Sequence, residues 1–172
     1  RGGAGGNIGY GYAARAEPDG YTVLLTTSAY VVNPGLYNSI PYDPFKDFVP
    51  ICEPAVNPHV FTVQANAPAK TMKEWVEMAK KDQAKYNFAT PPIGTTPQLQ
   101  VEVLKIREGL QNVATSVYKG GGDAIKALLG GEVQMSSGTL APAFPHMKAG
   151  TLRALAQTGA SRWSGLPDIP TM

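Results

Sequence analysis

The chain has 172 residues, 43% apolar and 16% charged, and its 15 Lys and Arg against 13 Asp and Glu leave a formal charge of +2. Such a composition buries a core and fits one domain or two small ones; it excludes a disordered chain, and charges this evenly interspersed give no electrostatic support for nucleic acid. The single cysteine, Cys52, excludes an internal disulfide framework and any multi-cysteine metal site. Its apolar flanks make it a core residue by expectation, and no apolar run approaches the ~18 residues of a membrane span.

Residues 2–11 carry closely spaced glycines and read as a loop entering a helix that ends near Glu17, because Pro18-Asp19-Gly20 is a turn signal. The glycines suggest a phosphate cradle, but no Gly-Lys-Ser/Thr follows, so a tight helix-entry loop is the reading kept. An opening inside such a loop, with no initiating Met, is expected of a piece of a longer protein. Residues 21–26, Tyr-Thr-Val-Leu-Leu-Thr, have the composition of a buried parallel strand. It leads into Thr26, Thr27 and Ser28, hydroxyls at a strand's carboxyl end, where open α/β sheets bind ligands. Four prolines make 33–50 a region of turns and at most short helices, and 51–63 reads as a strand pair or one long crossing strand.

Residues 72–81 place Met72, Trp75, Val76 and Ala79 at helical spacing, with Thr71 and Glu74 forming a capping box. Residues 86–100 then read as strand, loop and helix, with Thr96 as N-cap and Pro97 in the first helical position. Free N–H groups at that helix start, with Thr90, Thr95 and Thr96 as neutral donors, suit a carboxylate better than a metal. Leu99, Val103 and Ile106 mark the expected buried face of this helix, which stops before Gly109. A strand at 112–118 runs into Lys119-Gly120-Gly121-Gly122 and a helix at 123–129. Another strand at 132–136 ends in Ser136-Ser137-Gly138-Thr139, before a helix at 140–148, a strand at 152–157 and an extended tail at 166–171. Three strand-loop-helix units thus end in hydroxyl- or glycine-rich loops, which right-handed crossovers bring to one edge of a parallel sheet.

For catalysis the sequence offers little. His59 and His146 are the only histidines and read as structural or solvated. There is no Gly-x-Ser-x-Gly elbow, no carboxylate pair in a candidate loop and no metal-ligand spacing. Uncharged donors, Tyr118 and Lys119 make a site that recognises rather than reacts.

In order along the whole chain, several strings resemble the Bug family, the extracytoplasmic solute receptors of tripartite tricarboxylate transporters. They are Gly-Ala-Gly-Gly-Asn-Ile-Gly (3–9), Pro-Asp-Gly-Tyr-Thr (18–22), Asn-Pro-x-Leu-Tyr (33–37), Pro-Tyr-Asp-Pro-x-Lys-Asp-Phe (41–48) and Gly-Thr-Thr-Pro (94–97). Tyr-Lys-Gly-Gly (118–121), Leu-Leu-Gly-Gly-x-Val (128–133), Pro-His-x-Lys-Ala-Gly (145–150) and Leu-Pro-Asp-Ile-Pro-Thr (166–171) complete the series.

The resemblance implies an α/β, type II periplasmic-binding-protein-like bilobed fold with the second lobe nearly complete and the first partial. Residues 1–60 would form part of lobe 1, 61–156 lobe 2, and 157–172 a return into lobe 1. The family's first strand and its Pro-x-x-Gly-Gly loop would precede Arg1, and the rest of lobe 1 would follow Met172. The implied function is periplasmic capture of a small mono-, di- or aromatic carboxylate for membrane transporter subunits, without catalysis, cofactor, metal, nucleic acid or direct membrane insertion. Lobes would close about hinges near 55–60 and 156–159. Carried over by motif, the ligand-binding set is Thr26, Thr27 and Ser28; Thr90, Gly94, Thr95 and Thr96; Tyr118, Lys119 and Gly120; and Ser137 and Gly138. Gln98 stands where relatives often have His, and Gly138 follows the last strand, both neutral. Two alternatives stay open: an α/β enzyme using Lys119 on a phosphorylated or carboxylate substrate, and a ligand-sensing regulatory domain.

Overall fold

A computed structural model describes residues 3–172; Arg1 and the predicted loop's Gly2 lie outside the described residues. The described residues form two compact units, 3–55 with Ile93–Thr96, and Val56–Pro92 with Pro97–Met172.

In the first unit a 3-10 turn, Ala4–Gly6, leads into α1 (Asn7–Ala14), and α2 (Ala29–Leu36) follows a long irregular stretch. Its small core is aromatic. Tyr10 meets Tyr30 and Tyr42 edge-on at 5.7 and 5.2 Å between ring centroids, and Phe48 closes the group against Tyr30 at 5.6 Å. Pro34 lies inside α2 and has no N–H to give the carbonyl of Tyr30, four residues back. The Tyr42 hydroxyl supplies the missing donor, 2.8 Å from that carbonyl. The helix therefore survives its proline.

Two expectations fail in this unit. Residues 21–26 form no strand, and Tyr21, Val23 and Leu25 are 92%, 70% and 80% exposed. A β-rich composition makes a strand only when a neighbouring ladder and a covering layer receive it, and among the described residues no strand pairs with this segment. Cys52 is exposed rather than buried. It belongs to the irregular stretch before residue 59, where Val49 and Ile51 are exposed as well, so its apolar flanks are not core.

The second unit is a five-stranded sheet: β1 (His59–Gln64), β2 (Asn87–Thr90), β3 (Ala114–Val117), β4 (Met135–Thr139) and β5 (Leu152–Gln157), in the order β3-β2-β4-β1-β5. β2 pairs in parallel with β3 and β4, while β1 runs antiparallel to β4 and β5. The expected crossing strand is thus β1 alone. Strand alternation sends Phe61, Val63, Phe88 and Met135 to one face and Val60 and Ala89 to the other. The first face packs on α3 (Met72–Lys81) and α4 (Thr96–Glu108), the second on α5 (Gly121–Leu129) and α6 (Leu140–Lys148).

α3 begins as its capping signal predicts, with Glu74 N–H donating to Thr71 Oγ1 at 3.2 Å; the Glu74 carboxylate accepts from Lys70 N–H at 2.7 Å. Trp75 on its inner face lies 4.9 Å from Phe88 between ring centroids. α4 turns the other way from expectation. Pro97, Gln98, Val101 and Leu104 are buried, while Val103 and Ile106 are 49% and 70% exposed. Both sets keep helical spacing on opposite sides of the helix, so periodicity alone cannot choose between them. β4 also begins three residues later than predicted, because Gln134 N–H is bonded to Asn87 O and Phe88 pairs with Met135.

At the far side of the sheet Gln157 is fully buried and gathers in the C-terminal segment. Its Nε2 donates to the carbonyls of Leu166 and Ile169 at 2.8 and 2.6 Å, and its Oε1 accepts from Trp163 N–H at 2.9 Å. The extended tail then bridges back at Thr171 beside Gln157.

Candidate functional site

Because β2, β3 and β4 run parallel, their carboxyl ends share one edge of the second unit's sheet. Thr90 ends β2 there, fully buried, and its Oγ1 has no hydrogen-bond partner. Ala89 pairs with Ser136, so Thr90 stands level with Ser137 on the neighbouring strand. Ser137 is equally buried, and its Oγ donates to the carbonyl of Pro97 at 3.0 Å, fastening the first turn of α4 to β4. The sequence reading ends the strand at Ser136 and puts Ser137 and Gly138 in the turn after it; both lie inside β4, Gly138 pairing with Val60, and Ser137 is therefore an inward-facing strand residue.

The backbone N–H of Tyr118 donates to Thr90 O at 2.9 Å, which continues the β2–β3 ladder into the next loop. The half-buried Tyr118 side chain packs against the α5 and α6 layer. Burial, then the charge of Glu132, raises its pKa, so the phenol stays protonated. Lys119 is exposed, and Gly120 is the N-cap of α5 with no side-chain cap. His59, outside the sequence-derived set, opens β1 at the same edge opposite Thr139. Its Nδ1 lies 3.3 Å from Gln100 Oε1, and burial lowers its pKa, which favours the neutral ring. No sequence signal distinguished it, because its place depends on an antiparallel pairing.

The remaining six residues belong to the first unit. Thr26, Thr27 and Ser28 are exposed and lead into α2, whose first turn begins with Tyr30 N–H donating to Thr27 O and Val32 N–H to Ser28 O. The Ser28 and Thr96 hydroxyls are hydrogen-bonded to each other across 68 positions of sequence. Gly94 has a φ of +87°, a conformation open to glycine. Thr95 is half-buried beside it. The twelve residues therefore fall into two groups of six, each assembled within its own unit: Thr26, Thr27, Ser28, Gly94, Thr95 and Thr96, and Thr90, Tyr118, Lys119, Gly120, Ser137 and Gly138.

Chemically, both groups offer hydroxyls and backbone amides, and the second adds one exposed ammonium, that of Lys119. Among the described residues no three His, Cys, Asp or Glu side chains come together as metal ligands, and no helix is long and apolar enough to cross a membrane.

Comparison with known proteins gives a family match over the full length: the model described as tripartite tricarboxylate transporter family receptor, TctC, matches residues 1–172. The protein BugT of Bordetella pertussis is 32% identical over all of this chain and 53% of its own length. The chain spans about half the length of the curated relatives it matches. Among solved structures, a periplasmic transporter is 37% identical with a TM-score of 0.91, covering 99% of this chain and 57% of that one. An R. palustris protein with adipate reaches a TM-score of 0.93 at 29% identity, covering 100% and 57%. MatC from Rhodopseudomonas palustris with bound malate gives 0.83 at 26%, covering 98% and 57%. These likenesses bear out the α/β periplasmic-binding-protein class expected from the sequence.

Proposed function

Since the chain belongs to the tripartite tricarboxylate transporter receptor family, the TctC or Bug proteins, we propose that it is part of a periplasmic solute-binding protein that captures a small carboxylate and delivers it to membrane transporter subunits. The observation that carries this reading is Thr90: a buried hydroxyl without a partner, level with Ser137 and close to the start of α4. A buried polar group left unpaired costs about 1–3 kcal/mol, and a carboxylate oxygen accepting its hydrogen bond removes that cost. The first turn of α4 adds the positive end of a helix dipole.

The twelve residues named above form the proposed contact set, with 1–60 and 157–172 as the parts of one lobe and 61–156 as the other. The neighbours with adipate and malate favour a dicarboxylate, held here by donors that are nearly all neutral. In this reading the site binds without catalysis, in keeping with a Ser137 hydroxyl that donates to a backbone carbonyl and a Thr90 Oγ1 that has no hydrogen-bond partner. Binding would select the closed arrangement of the two lobes, with hinges near 55–60 and 156–159.

A thermal-shift screen of the intact protein against mono-, di- and tricarboxylates, with sugars, amino acids and nucleotides as controls, tests the reading. A concentration-dependent rise in Tm for one carboxylate class is the expected result, since a ligand of the folded form stabilises by mass action. A shift with nucleotides or sugars and none with carboxylates would overturn it.

A further inference from the structure

Asn33 is fully buried on α2, yet no chemistry read from the sequence used it. Its carboxamide is fixed by two donated bonds, Nδ2 to the carbonyl of Gly5 at 3.0 Å and to Asn7 Oδ1 at 2.7 Å. Those bonds orient the other end of the amide. Asn33 Oδ1 is buried without a partner and faces Gly94, where a Cβ would stand 3.0 Å from it and 2.9 Å from Leu36 Cδ1. Leu36 is 45% exposed at the end of the helix and can swing aside, whereas Asn33 is held at both Nδ2 bonds and cannot. The same helix also engages this loop at its N-terminal end, through the bond between the Ser28 and Thr96 hydroxyls. Residues 93–96 therefore lie along α2, in contact at two points, and all of these residues belong to the first unit.

We infer that Asn33 is a positioning residue for ligand binding: it seats Gly94 against α2 and thereby fixes where Thr95 and Thr96 present their donors. It does so without touching the ligand. The amide serves because an apolar side chain of the same shape would leave Gly5 O and Asn7 Oδ1 without donors, while the Oδ1 end crowds any Cβ at position 94, where the φ of +87° already favours glycine. The inference rests on the carboxylate-binding reading for its effect on affinity, and on geometry alone for the seating.

A double-mutant cycle in the intact protein tests it, combining Asn33→Ala and Gly94→Ala, with adipate and malate as probes in calorimetric titration and Tm recorded for each variant. Each single substitution is expected to raise Kd about tenfold, and the double to lose clearly less than the product of the singles, because removing Asn33 makes room for the new methyl group while the strain of alanine at the φ of +87° stays. A double that loses about a hundredfold, the product of the singles, overturns the inference, as does Asn33→Ala binding within about twofold of wild type. If the wild type binds neither probe, the choice of carboxylate passes to the thermal-shift screen, and the cycle is read on Tm: losses smaller in the double than the sum of the singles support the seating, and additive losses overturn it. If Asn33→Ala does not fold, Asn33→Ser, which keeps a small polar side chain at the position, replaces it in the same cycle.

Discussion

Ser137 Oγ holds the carbonyl of Pro97 at 3.0 Å, so the first turn of α4 is carried by β4 rather than by its own loop. Ser137→Ala removes the side-chain donor from a buried carbonyl, leaving it only its helical bond, and frees that turn to shift. The expected loss is about 1–3 kcal/mol of stability, seen as a lower midpoint in urea. Carboxylate affinity should fall with it, and an unchanged Kd in calorimetry would remove Ser137 from the positioning of the site.

Thr90→Val gives the opposite combination. The substitution keeps the shape of a buried side chain and deletes a hydroxyl that has no partner, so the ligand-free protein should gain roughly 1–2 kcal/mol. Its affinity for carboxylates should drop at least tenfold. A variant that is more stable and binds worse identifies Thr90 as a group kept for ligand; one that is less stable shows that the hydroxyl is satisfied within the fold.

Gln157→Leu removes three hydrogen bonds at once from the side chain that gathers the C-terminal segment. At about 1 kcal/mol for each bond, the loss should reach several kcal/mol. Limited proteolysis should cut the segment 158–172 in the variant at protease concentrations that leave wild type intact. Equal cleavage rates would mean that the backbone bonds of Gln157 suffice.

His59 links stability to pH. Burial lowers its pKa from the ordinary 6.5, so the unfolded chain takes up a proton at a higher pH than the folded protein does. This contribution to stability is fully present above 6.5, and it is lost as the pH falls through the lower folded value. Unfolding midpoints should therefore decline on acidification below 6.5 more steeply in wild type than in His59→Gln. Parallel pH profiles for the two would show that the ring titrates freely in the folded state.

Legibility in the sequence followed the range of the interactions involved. α3, α6 and β5 could be read directly: α3 from a local capping pair and a single apolar stripe, β5 and α6 from short runs bounded by glycine. The Thr90 to Thr96 region was legible as a strand-to-helix loop because threonines, glycine and proline sit together there. Three features were not. Residues 21–26 have strand composition without a strand partner, α4 has two apolar stripes and only tertiary packing selects one, and Ser137 moved inside β4 because its register is set by β2, some fifty residues earlier. Asn33 was invisible for the same reason, since its partners Gly5, Asn7 and Gly94 lie far from it in sequence.

The carbonyl of Tyr30, deprived of a backbone donor by Pro34, borrows one from Tyr42. The helix that supports residues 93–96 is consequently incomplete as a piece of secondary structure, and becomes whole only when a tyrosine from the following turn arrives. Its continuity is a tertiary property. The Tyr42 hydroxyl, in none of the loops that carry candidate ligand contacts, thus helps decide whether one of those loops has a firm floor.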